Sequence, residues 1–287
     1  MRRPTAGVPH PEPDPKSTTV ARPDREAGAL DWFTRPSATS AGTLNLSFNA
    51  LDRHVVRGLA DEPALLDPGA PTHRSFYSFA GLLEQVGQLG GALRELGVVA
   101  GSTVVLALPL GPELVFGLLA CARLGAVAVP LTDEAPGAVR RLGHDPAVDR
   151  PTVVVVDGPR RAAVDEVLAA ASRTPDYEVV RAPGPGTVDA TAGTFDLAVL
   201  MKPGSFQPAA CAELAPQSPF LVRLGLGADA GTTSVRDQAW ATGLAAAAVS
   251  AGWAPGSYVH PSDDPTDASP YGALLGPLLV GAAVELR

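Results

Sequence analysis

Apolar runs at 104–108, 127–131 and 152–156 are separated by stretches whose apolar residues recur at helical spacing, an alternation that leaves few architectures open. Between the first two runs Pro112 suits a first helical turn. Leu114, Val115, Leu118, Leu119 and Ala122 share a face, and Gly125 stands at the stop. A helical stretch at 160–171 leads from the third run to an extended segment at 177–180. Strand, helix, strand in steps of about 20 to 30 residues predicts right-handed crossovers on a parallel sheet, an α/β fold with flanking helices. Hydrophobic residues make up 46% of the chain but aromatics only 5%, so the core must be Ala, Val and Leu, which suits helices packed tightly on parallel strands.

Residues 1–41 are rich in Pro, Ser, Thr and charge, which predicts a disordered tail. A first α/β subdomain is expected over 42–181. It starts with a helix capped by Ser47 and carrying Leu51, His54, Val55 and Leu59, then a short extended run at 64–66 and a strand end around Phe76 and Tyr77. A helix follows over 79–96, with Gly97 at its end. The segment 182–218, dense in Pro, Gly and Thr, reads as a linker around one strand at 197–200. A partial second α/β subdomain is expected over 219–287, with a strand at 220–224, helices near 238–250 and 271–280 and a final strand at 282–286. The end after that strand is expected to leave an open sheet edge, which a second polypeptide or self-association would cover.

The net charge of -8 and the scattered basic residues argue against a nucleic-acid partner. Cys121 and Cys211 lack the spacing of a disulfide framework or a zinc site, and read as idle thiols. No apolar run reaches the roughly 20 residues that cross a bilayer, and Arg2 and Arg3 precede proline and acids instead of a signal core, so no membrane role and a cytoplasmic location are expected. His54 has no paired acid or nucleophile in view, and Asp263, Asp264 and Asp267 fall in a proline-flanked turn, so neither a catalytic base nor a metal site is assigned.

Several blocks carry a family resemblance. Trp32-Phe33, Leu44-Asn45 and the run Phe48-Asn49-Ala50-Leu51-Asp52-Arg53-His54 form the first; Leu108-Pro109, Pro112-Glu113 and Ala120-Cys121-Ala122-Arg123-Leu124-Gly125-Ala126 the second. Ser262-Asp263 and the run from Gly276 to Ala282 complete the set. In order and spacing these resemble the adenylate-forming superfamily, in its AMP-forming acetyl- and propionyl-CoA synthetase branch. The resemblance covers about 31–287 and implies the N-terminal α/β subdomains of such an enzyme, truncated before the parts that carry the adenine contacts and the activating lysine. By resemblance alone, the cofactors would be ATP with magnesium, and CoA.

The phosphate-gripping loop of that family has the form S-G-T-T-G-K-P-K-G, whereas this chain reads Ala230-Gly231-Thr232-Thr233-Ser234-Val235-Arg236-Asp237. Gly231, Thr232, Thr233 and Ser234 keep the backbone freedom and hydroxyls of a phosphate cradle, but the cation is missing, since the only lysines are Lys16 and Lys202. An acid such as Asp229 placed about 4 Å from a phosphate would oppose it by about 4 kcal/mol at an effective dielectric of 20, more than one added hydroxyl contact returns. The family's Gly-Trp pair is replaced by Asp264-Pro265, and its F-G-G-F-S-P segment by residues 131–136. Arg160 and Arg161 stand roughly where the branch places arginines that hold a phosphate of CoA; a solvated helix start is their other reading.

These features lead to the expectation of a degenerate synthetase-like pseudoenzyme, inactive alone in acyl adenylation, that binds a ligand or a partner. Two alternatives remain: the N-terminal half of a split acid-thiol ligase completed by another chain, and a Rossmann-type dinucleotide domain built on Gly225, Gly227 and Gly231.

Overall fold

The computed structural model of the protein describes residues 28–69, 76–132, 138–224, 233–261 and 270–286. A helical segment with π-type turns at Phe48–Asp52 and Val55–Leu59 leads into β1 (Pro63–Leu66) and β2 (Phe76–Ser78), an antiparallel pair. Ser78 caps α1 (Phe79–Glu95), its Oγ accepting the Gly81 N–H at 3.1 Å. Crossovers then follow: β3 (Thr103–Ala107), α2 (Pro112–Leu124), β4 (Val127–Pro130), α3 (Ala138–Leu142), β5 (Val153–Asp157), α4 (Arg161–Ala170) and β6 (Tyr177–Arg181). Beyond them lie β7 (Thr194–Asp196), α5 (Leu197–Leu200), β8 (Pro219–Leu224), β9 (Thr233–Asp237), α6 (Trp240–Ser250), β10 (Tyr258–Val259), α7 (Pro270–Leu279) and β11 (Ala283–Glu285).

Among the described residues these strands make two sheets. The larger has the order β7-β6-β5-β3-β4-β8-β9, parallel except for β9, which pairs antiparallel with β8; the smaller has the order β10-β11-β1-β2. The expected α/β class with helix-flanked parallel strands therefore holds, with antiparallel pairs at β1/β2 and β8/β9. Alternate residues of β3 divide the core. Val104 and Leu106 join the apolar cluster under α1, α2, α6 and α7, and Val105 and Ala107 the cluster under α4. A strand buried on both faces needs the unbroken apolar run seen in the sequence. Gly125 ends α2 with φ of 75°, a left-handed turn that glycine adopts without the Cβ penalty.

The structure departs from expectation in several places. Ser47 does not cap the first helix: its hydroxyl is buried without a partner, and Asn45 Oδ1 accepts the Phe48 N–H at 3.2 Å instead. The strand expected at 197–200 is helix α5, because Asp196 turns the chain and accepts the Ala198 N–H at 2.8 Å; the strand is β7, just before it. From residue 28 onward the N-terminal segment is docked: the Asp31 N–H donates to Asn49 at 2.7 Å, and Asp31 pairs with Arg57 at 2.6 Å. Residues 1–27 lie outside the described residues. The strand expected to form an open edge, β11, is an inner strand, paired in parallel with β1 on one side and β10 on the other. Among the described residues no helix is long and apolar enough to cross a membrane.

Candidate functional site at the carboxyl ends of the parallel strands

Ligands of open α/β sheets bind beyond the carboxyl ends of the parallel strands, and of the residues that the sequence singles out Thr233, Ser234, Arg160 and Arg161 fall near those ends. Gly231 and Thr232, with Gly225, Gly227 and Asp229, lie outside the described residues, as do 133–136 and Ser262, Asp263, Asp264 and Asp267. Their flanks are described. The segment 225–232 joins β8 to β9, and among the described residues the element after β8 is β9, an antiparallel strand. A Rossmann site is built on a helix N-terminus after its glycine loop, and the described element that follows this loop is a strand.

Thr233 and Ser234 open β9 as neighbours, and a strand sends neighbouring side chains to opposite faces. Thr233 faces the segment around α3. Its hydroxyl forms a short hydrogen bond with Asp145 and accepts from Arg141 at 3.0 Å, while Arg141 pairs with Asp145 at 3.0 Å. Burial would push the Asp145 carboxyl up, but hydrogen bonds from the Thr233 hydroxyl and the Ala147 N–H, with the Arg141 charge, hold it below its usual value. Ser234 lies in register with Arg223 on the face toward α6, where Arg236 sits 5.6 Å from the Trp240 ring centre. Asp237 accepts the Trp240 N–H at 3.2 Å, at the start of α6.

Lys202 follows α5, which packs beside β6 and β7, at the opposite edge of the sheet from β9. At roughly 4.8 Å per strand the sheet is about 29 Å wide between those edges, beyond the reach of a lysine side chain.

Arg160 and Arg161 do not converge. Arg160 Nη1 donates to the Leu131 carbonyl at 2.7 Å and weakly to that of Leu108 at 3.4 Å, tying together the strand-end segments after β3 and β4. Arg161 donates to the Thr187 carbonyl at 2.7 Å and pairs with Glu178 at 2.5 Å. Burial pushes the Glu178 carboxyl up despite that guanidinium, with Asp165 adding to the rise. Sequence reasoning missed Arg141, Asp145 and Glu178. The one available signal was the i, i+4 spacing of Arg141 and Asp145.

The resemblance blocks have a structural job. Asn45 Nδ2 donates to the carbonyls of Ala122 (3.0 Å), Arg123 (3.2 Å) and Ala212 (2.9 Å), so the first block closes the end of α2. Arg53 donates to the carbonyls of Ala29, at 2.8 Å, and Leu279, reaching from the first block to the last.

This architecture is shared. The family model for AMP-binding enzymes matches residues 52–203, and the chain belongs to that family. It is 47% identical to the acetyl-coenzyme A synthetase of Deinococcus radiodurans over 100 residues, which are 34% of this chain and 15% of that protein. To the acetyl-coenzyme A synthetase of Mycobacterium bovis it is 37% identical over 153 residues, 49% of this chain and 23% of that protein. The aligned stretch is thus less than a quarter of either relative. In fold it is similar to the acetoacetyl-CoA synthetase from Streptomyces lividans, with a TM-score of 0.68 at 24% identity, covering 89% of this chain and 40% of that one. The chain is an acyl-CoA synthetase-like unit of the AMP-binding enzyme family.

Proposed function

We propose that this chain is a cytoplasmic, degenerate acyl-CoA synthetase-like protein that does not carry out acyl adenylation alone and serves as a ligand-binding or interaction module. The observation that carries this reading is the engagement of Thr233. Its hydroxyl already serves Asp145 and Arg141, and Ser234 faces the other side of β9, so the two hydroxyls do not form one phosphate cradle. The nearest loop cation, Arg236, stacks on Trp240, and Lys202 stands across the sheet. Among the described residues, a phosphate entering there would meet an ionised Asp145 and no ammonium.

Purified chain incubated with ATP, magnesium, CoA and acetate or propionate is expected to release no pyrophosphate; turnover would overturn the reading. Separate calorimetric titrations with ATP, AMP and CoA extend the test. ATP is expected to give no heat. CoA bound through Arg161 would have to displace Glu178 and the Thr187 carbonyl, and weak binding abolished by Arg161→Gln is the signature of a retained CoA contact.

A second reading keeps the ligase whole, with the remaining parts supplied by another polypeptide. It is favoured by the edge position of β9 among the described strands, where Val235 is half exposed. Pull-down from the host should then recover a stoichiometric partner that restores pyrophosphate release, and a lone monomer counts against it.

A further inference from the structure

Arg181, at the end of β6, donates to Asp157 at 2.8 Å and lies 3.4 Å from a carboxylate oxygen of Glu113 in the first turn of α2. A cavity of about 370 Å³ opens beside them between α1, α2 and α5, with Leu89, Phe116, Leu197 and Met201 in its wall. Gln85 lines it too, and its amide forms no hydrogen bond among the described residues. Ala182 in the same wall has φ of 50°, a left-handed conformation that an L side chain rarely adopts and that clusters at ligand sites. Arg181 and Glu178 occupy opposite faces of β6, so the cavity lies on the α1–α2 face, away from Arg161. Occupancy here does not depend on the fate of the nucleotide loop.

We propose that this cavity binds a small, neutral molecule with an apolar body and a carboxamide head. The volume falls at the low end of the roughly 300–1,000 Å³ of small-molecule sites, enough for one ring or a short branched chain. Leu89, Phe116, Leu197 and Met201 take the body. At the polar end a guanidinium donates, the Glu113 carboxylate accepts and the Gln85 amide does both, which complements the carbonyl and NH2 of a carboxamide. Arg181 is shared by Glu113 and Asp157, so the three groups carry one net negative charge: an anion is repelled, and a cation has to compete with a guanidinium already paired to both carboxylates.

Ligand-observed NMR titration of the full chain with benzamide, benzoate and benzylammonium, three probes of matched shape, tests this. Benzamide is expected to bind about tenfold more tightly than either ion. Ala198→Trp, at an exposed position in the wall, is expected to abolish that binding. Gln85→Leu is expected to weaken it about fivefold, the worth of one hydrogen bond, and provides a second readout if the tryptophan variant folds poorly. No binding of benzamide, equal or tighter binding of a charged probe, or binding unchanged in a folded Ala198→Trp or in Gln85→Leu would overturn the proposal.

Discussion

Arg123 grips Asp52 through two hydrogen bonds of 2.7 and 3.0 Å, joining the helical turn before β1 to the end of α2. The same guanidinium donates through Nε to the Ala209 carbonyl at 2.5 Å, and only 9% of its side chain is exposed. Removing the carboxylate would leave a nearly buried cation unpaired. Asp52→Ala is expected to cost about 3 kcal/mol in urea unfolding, and adding Arg123→Met should recover part of that loss, because a buried pair is costlier to break than to replace. Equal destabilisation by the single and the double variant would contradict this account.

His54 is buried against Phe79, with ring centres 5.0 Å apart, and burial, reinforced by the Arg53 charge, lowers its pKa to about 3. The folded value lies below the unfolded 6.5, so the unfolded chain takes up the proton first. The stability from neutral His54 is present above pH 6.5 and is lost as the pH falls from there toward 3. Unfolding between pH 7 and pH 5 should show a loss of about 2 kcal/mol. That slope should be absent from His54→Leu, whatever the variant's absolute stability.

Glycines in two helices should respond in opposite directions to alanine. A Cβ on Gly91 of α1 would stand in contact with the backbone oxygen of Gln207, at 2.3 Å, so Gly91→Ala should lower stability by about 2 kcal/mol despite its better helix propensity. Gly243 of α6 has open space around it, and Gly243→Ala should raise stability by about 0.5–1 kcal/mol. Thermal melts of both variants check the pair.

Burial raises both thiols, Cys121 and Cys211, to about 12, and for Cys211 the nearby Asp52 carboxylate adds to the rise. Neither should be alkylated by iodoacetamide in the native protein at pH 7.5, and both should react in urea. Mass spectrometry of native and denatured samples distinguishes the two states.

The parts of the fold that were legible in the sequence are those written in local periodicity. The strands β3 to β6 and the helices α1, α2 and α4 follow from apolar spacing, Pro112 and Gly125, because burial on two faces leaves an unbroken run of Val and Leu. Local pattern failed at 194–200, where Leu, Ala and Val suit a strand or a helix equally and Asp196 decided for helix. It failed again at β11, whose neighbours β1 and β10 are set by long-range pairing that no window of sequence contains. The same limit held at the site. The hydroxyls of Thr233 and Ser234 were visible, but Asp145, which engages Thr233, stands eighty-eight residues away in the chain. Arg160 and Arg161 looked like a pair, yet they serve carbonyls and carboxylates in different directions.

The pairing of Leu65 with Val284 has a kinetic consequence. β1 and β2 can meet early as a hairpin, but a two-stranded ribbon is marginal in water, and its parallel neighbour arrives from the far end of the pairing map. The smaller sheet should therefore consolidate last during refolding. Until it does, β1 and β2 should be more open to proteolysis than the Val-rich centre of the larger sheet.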